Sequence, residues 1–179
     1  VYDHFDLTGR FESALTLDRD NVVVTTSVSK SLAVTGFRVG YAVFPADDVE
    51  SALTRHTLVN VAVSRPAQAA VLAALRETPP SYYESVRDTI RGRIDEFTAG
   101  LDDAGAAYTT PEGAFYVLAR FEGFPGSLEN VRRLIDDAGV AAMPGAAFGE
   151  TYDEWIRFTL CTDRVDEAAA RLSAYFETR

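Results

Sequence analysis

The sequence predicts a mixed α/β chain in which short β-branched strands alternate with amphipathic helices around one long helix. Three observations point there. Apolar residues make up 47% and charged residues 25% of the 179 positions, a globular composition with enough chain to bury a core. Runs such as Val22-Val23-Val24-Thr25-Thr26 are apolar and β-branched, which suits a strand. Tyr83, Val86, Ile90, Ile94, Phe97 and Leu101 recur at spacings of three and four, which makes a single stripe on one long helix.

Taken in order, residues 22–26 read as a buried strand and residues 38–44 as a second, closed by Pro45. The polar stretch between them is too short for a crossover helix, so Lys30 sits just past the C-terminal end of a strand, where open α/β sheets bind ligands. Helices are predicted over 47–58 and 67–76, with Pro79-Pro80 stopping the second. Ser81 and Glu84 match a capping box for the long helix, which ends near Gly105. Beyond it come a strand over 114–120, a helix over 127–138 with Gly139 as its C-cap, and strands over 140–143 and 155–161. A closing helix over 165–176 completes a small α+β unit. Internal repeats and low-complexity segments are absent from the sequence.

Twenty-seven acidic residues against 17 basic ones give a net charge of −10, which disfavours a nucleic-acid partner. One cysteine, Cys161, and two histidines, His4 and His56, supply neither a disulfide framework nor a metal-ligand set. The apolar runs fall short of a bilayer span and no signal peptide opens the chain, so a soluble, cytoplasmic protein without a membrane partner is expected. Arginine accounts for nearly every basic residue, and Lys30 is the single lysine. Two readings of that bias stand side by side: a halophilic-like acidic surface, screened at high salt, and a codon preference for arginine. Either way, one amine has been kept where arginine serves elsewhere, and only lysine can lose its proton or bond covalently to a carbonyl carbon.

The most specific pattern is Ser27-x-x-Lys30 followed by Gly36-x-Arg38-x-Gly40. A phosphate-cradling P-loop is excluded, because Thr25 to Ser29 contains no glycine. An arginine offers a permanently charged fork for phosphate, and a serine hydroxyl adds a neutral donor.

The segment from Ser27 through Lys30 and Arg38 to Tyr41 resembles the pyridoxal-phosphate-attachment motif of the class I/II aminotransferases, the aspartate-aminotransferase-like fold-type I enzymes. That resemblance implies that Lys30 bonds the cofactor aldehyde and later shuttles the substrate α-proton, while Ser27 and Arg38 hold the cofactor phosphate. Val1-Tyr2-Asp3-His4-Phe5 is similar to the end of the family's Asp-x-x-Tyr segment, which gives Tyr2 a hydrogen bond to the cofactor ring oxygen. Pro111-Glu112-Gly113-Ala114-Phe115-Tyr116 resembles the family's turn into a small-domain strand. Pro144-Gly145-x-x-Phe148-Gly149, followed by Trp155-Ile156-Arg157-Phe158-Thr159, resembles its C-terminal segment, and there Arg157 matches the residue that grips the substrate α-carboxylate. An arginine inside an apolar strand calls for an anionic partner in any case.

The family's aspartate partner for the pyridine nitrogen lies three residues before the matching tyrosine, which falls ahead of Val1. The resemblance therefore implies the C-terminal part of such an enzyme. Residues 1–63 would supply strands and a helix of the cofactor domain, 64–105 the connecting helices, and 106–179 the small domain. The intact protein is expected to be a homodimeric aminotransferase acting on an amino acid and a 2-oxo acid, with this part alone inactive. Arg65, which in the family approaches the neighbouring subunit's site, is a candidate reader of a substrate side-chain carboxylate, with a solvated surface arginine as the plainer reading. Alternative functions are a decarboxylase, lyase or synthase of the same fold, the aminotransferase-like domain of a transcriptional regulator, and a stand-alone binding domain.

Overall fold

The computed structural model describes residues 1–17, 19–45, 49–59 and 62–178. It divides into two compact units, Val1–Glu84 and Ser85–Arg179, and the boundary falls within the long helix.

Unit 1 contains an antiparallel hairpin, β1 (Val24–Ser27) and β2 (Gly40–Val43), in which Ser27 pairs with Gly40. Helices α1 (Val49–Val59) and α2 (Arg65–Glu77) follow. The Ser64 hydroxyl accepts from the Ala67 amide at 3.4 Å and Pro66 occupies the first turn, both ordinary helix-start chemistry. Ala67 and Val71, four residues apart, are the buried positions of α2. Ahead of the hairpin, Phe5 is buried, and His4 stacks on Tyr83 with ring centroids 4.2 Å apart.

Several expectations shift here. Helix 47–58 begins at Val49 among the described residues, while Asp47 and Asp48 lie outside them. The second strand starts at Gly40 instead of residue 38, because Arg38 has a left-handed backbone with φ 55°, incompatible with an extended strand. Residues 22–26 are not a buried strand: Val23 is exposed, β1 is only half-buried and β2 is exposed throughout. Among the described residues, unit 1 contributes only Phe5, Val28, Ala67 and Val71 to the buried apolar residues.

Unit 2 holds most of the core. The long helix α3 (Pro80–Asp103) buries Ile90, Ile94, Phe97 and Leu101, four of the six predicted stripe positions. It starts at Pro80, so Ser81 lies in the first turn and is not the cap of a capping box. Proline at the first helical position is favoured because its missing N–H is one the helix cannot use. A four-stranded antiparallel sheet follows, in the order β3 (Ala107–Tyr108), β4 (Tyr116–Arg120), β6 (Ile156–Thr159), β5 (Met143–Pro144). Val117 and Ala119 of β4, with Ile156 and Phe158 of β6, are fully or almost fully buried, and Phe97 of α3 meets Phe158 at a centroid distance of 5.2 Å. Helix α5 (Val165–Glu177) adds Val165, Ala169 and Leu172 to the same core.

The two-residue strand β3 had no periodic signal and was not expected. Strand 114–120 starts at Tyr116, since Ala114 sits at φ 58°. Helix 127–138 splits into α4 (Leu128–Arg133), capped by Ser127, and a wider π turn over Leu134–Ala138 that Gly139 closes at φ 68°. The strand placed at 140–143 is β5, displaced to Met143–Pro144, because the Val140 amide donates back to the Leu134 carbonyl at 3.1 Å and belongs to the helix end.

Candidate active site

The expected site residues fall into two groups. Tyr2, Ser27, Lys30, Arg38 and Arg65 belong to unit 1, and Arg157 belongs to unit 2.

Lys30 follows β1 by three residues, as its position in the sequence predicts, in the connection between the hairpin strands. The turn that carries it is closely tied down. Val28 and Ser31, on either side, are 5% and 7% exposed. The Leu32 amide donates to the Val28 carbonyl and the Ala33 amide to the Lys30 carbonyl, both at 3.1 Å. The Thr35 hydroxyl reaches back to the Ser29 carbonyl at 3.0 Å. Two buried anchors thus bracket a half-buried lysine.

Ser27 ends β1, and its hydroxyl accepts from the Ser29 amide at 3.4 Å, with the other lone pair and the proton left for further partners. Its pairing partner Gly40 leaves no room for a side chain: a Cβ there would lie 2.8 Å from the Thr26 carbonyl oxygen and 3.4 Å from the Ser27 Cβ. The second glycine of Gly36-x-Arg38-x-Gly40 is therefore the one that lets the hairpin close beside Ser27. Arg38 is exposed and its Nη1 donates to the Thr35 carbonyl at 3.0 Å. It lines an open cavity of about 810 Å³ together with His56, Ser64 and Pro66, so the arginine turn and the start of α2 share one depression. Arg65, the first residue of α2, is exposed. Tyr2 is partly exposed at the start of the chain, its ring 6.5 Å from that of Phe5.

Arg157 lies in the middle of β6, opposite Leu118 on β4 and Met143 on β5. Its strand neighbours Ile156 and Phe158 point into the core, so strand alternation turns Arg157 to the sheet's other face. There its Cζ lies 4.5 Å from the centroid of Tyr116 and 4.7 Å from that of Phe148. Its Nε is buried and has no hydrogen-bond partner among the described residues. No role was expected for either ring. The only sequence signal for Phe148 was its place in the Pro144-Gly145-x-x-Phe148-Gly149 pattern.

The donors of unit 1 are chemically suited to pyridoxal phosphate: an amine can bond an aldehyde, and a guanidinium and a hydroxyl can hold a phosphate. Residues 1–172 match the family Aminotransferase class I and II, and the chain belongs to that family, whose members depend on pyridoxal phosphate. Among curated relatives, a probable aspartate/prephenate aminotransferase of Thermus aquaticus is 34% identical over 83% of this chain and 40% of its own length. A probable N-succinyldiaminopimelate aminotransferase of Mycobacterium tuberculosis is 30% identical over 88% of this chain and 43% of its own. The solved aromatic aminotransferase of Pyrococcus horikoshii superposes with a TM-score of 0.88 at 25% identity, covering all of this chain and 50% of that one. The chain thus spans half or less of the length of the relatives it matches. No helix among the described residues is long and apolar enough to cross a membrane.

Proposed function

We propose that this chain is the C-terminal part of a pyridoxal-phosphate-dependent aminotransferase that moves an amino group between an amino acid and a 2-oxo acid. The observation that carries the reading is the placement of Lys30 on a tied-down turn straight after β1, with Ser27 and Arg38 at the two ends of the same connection. Pyridoxal phosphate, when bound, supplies the electron sink for chemistry at the substrate α-carbon. The chain's own residues do the rest. The Ser27 hydroxyl and Arg38 guanidinium would hold the phosphate, and the Tyr2 phenol would hydrogen-bond the ring oxygen. The Lys30 amine would hold the cofactor through its aldehyde and would carry the substrate α-proton. Arg157 grips the α-carboxylate, which amino acid and 2-oxo acid have in common. Arg65 enters only where the substrate carries a second carboxylate.

In this reading residues 1–63 belong to the cofactor domain, 64–105 to the connecting helices and 106–179 to the small domain. The intact protein is a cytoplasmic homodimer. The family supports the reaction class.

Borohydride reduction of the intact protein with its cofactor, followed by peptide mapping, tests the assignment. An adduct on the Lys30 peptide that disappears in Lys30→Ala is expected, and an adduct mapped elsewhere overturns it. The pure 179-residue chain is expected to show no transaminase turnover, and robust turnover by it would refute its being an incomplete part.

A further inference from the structure

The surroundings of Arg157 carry more than the carboxylate-gripping role itself. A guanidinium with a buried, unpartnered Nε is costly unless something compensates its charge. Two aromatic rings lie within cation–π range of its Cζ, at 4.5 and 4.7 Å. Ring faces attract the cation yet leave its N–H groups, which lie in the guanidinium plane, available to an acceptor.

Both rings are delivered by rigid elements. Tyr116 opens β4 opposite Thr159, one diagonal step from Arg157 on the same sheet face. Phe148 ends the tight turn Gly145–Phe148. That turn is pinned by the Gly145 amide, which donates to the Trp155 carbonyl at 2.7 Å. A Cβ on Gly145 would collide with the Tyr152 and Trp155 carbonyl oxygens, so the turn seats against the chain entering β6 only as glycine. Phe148 is 44% exposed.

We propose that Tyr116 and Phe148 are positioning residues that clamp the Arg157 guanidinium, so that its in-plane donors face a planar carboxylate. This rests on the reading of Arg157 as the substrate-carboxylate anchor. The clamp favours arginine over lysine at this site, since an ammonium has no plane for the rings to orient.

The test follows the Arg157 Nε–Hε resonance by NMR in the intact protein with its cofactor, with succinate as the carboxylate probe. In the wild-type chain the resonance is expected to be shifted upfield by the rings and to move as succinate is added. Phe148→Leu and Tyr116→Leu are each expected to relax the upfield shift and to weaken succinate binding by about two- to thirtyfold, the range of exposed to desolvated cation–π contacts. Phe148→Tyr, which keeps a ring, is expected to bind as the wild type does. If the wild-type resonance responds to succinate and both leucine variants bind equally well, the clamp is wrong and the anchor reading survives. If the wild-type resonance does not respond at all, anchor and clamp fall together. A lowered melting temperature with unchanged shift and affinity makes the two rings merely structural and overturns the clamp.

Discussion

At the scale of single residues, Arg157 and Asp6 show how a charged group is defined by what surrounds it. Arg157→Lys keeps the charge and loses the planar fork. In the intact enzyme it is expected to cost about 2–5 kcal/mol of carboxylate recognition, or roughly thirty- to several-thousandfold in kcat/KM. Cofactor affinity should hold, because the phosphate is assigned to Ser27 and Arg38, and measuring both quantities in one preparation separates the roles. Asp6 organises the loop after Phe5. Its carboxylate accepts from the Thr8 hydroxyl at 2.7 Å, the Thr8 amide at 2.9 Å and the Phe11 amide at 2.8 Å. These bonds, that of the Thr8 hydroxyl foremost, pull its pKa from 3.8 down to about 2. A lowered carboxyl pKa means that the charged form is favoured in the folded loop. The loop's stabilisation is therefore complete above the unfolded value and is lost as the pH falls from about 4 through 2. A carbon-13 titration should find the Asp6 midpoint well below that of other aspartates. In Asp6→Asn the Phe11 amide should exchange faster, since the oxygen it bonds has become an amide nitrogen or a weaker acceptor.

At the scale of elements, two glycines of the same helix have opposite meanings. Replacing a helical glycine by alanine normally stabilises by about 1 kcal/mol. Gly92 of α3 has open space where a Cβ would go, so Gly92→Ala should follow that rule. Gly100 lies eight residues on, with its missing Cβ 3.1 Å from the Ala169 Cα and carbonyl carbon of α5 and closer still to the Ala169 methyl. Gly100→Ala must push the helices apart, and overpacking of about 1–3 kcal/mol outweighs the propensity gain. Urea denaturation of both variants should give shifts of opposite sign, and stabilisation by Gly100→Ala would show that α3 and α5 can part without cost. Helical periodicity marks both glycines alike. Only the partner helix separates them.

For the whole molecule, burial is distributed very unevenly. Among the described residues, every one of the largest fully buried side chains, from Phe97 and Phe124 to Leu172 and Val165, lies in unit 2. In unit 1 large apolar groups such as Leu53, Leu58 and Val59 stay exposed. Local opening free energies follow buried apolar contact, so native-state hydrogen exchange on the 179-residue chain should protect β4, β6, α5 and the second half of α3 most strongly. The β1–β2 hairpin should exchange at a far lower opening cost. Equal protection in the two units would contradict this distribution of the core.

The amino-acid sequence by itself determined the family and the order of the longer elements. A single lysine bracketed by Ser27 and Arg38, the stripe of α3 and the apolar runs of β4 and β6 are local patterns, and side-chain type and 3.6- or 2-residue periodicity read them directly. It also placed Arg157 in an apolar strand. Tertiary structure alone decided what these patterns meet. The left-handed residues Arg38 and Ala114 shortened two strands, and the Val140 amide moved a third by closing a helix end. The pairing of Tyr108 with Ala119 made a strand from two residues without periodicity. Which face of β6 carries Arg157, and that Tyr116 and Phe148 lie against it, depends on register between strands far apart in the chain and on a turn seated over a glycine. Those contacts arise from packing across long sequence separations, for which a local pattern has no signal.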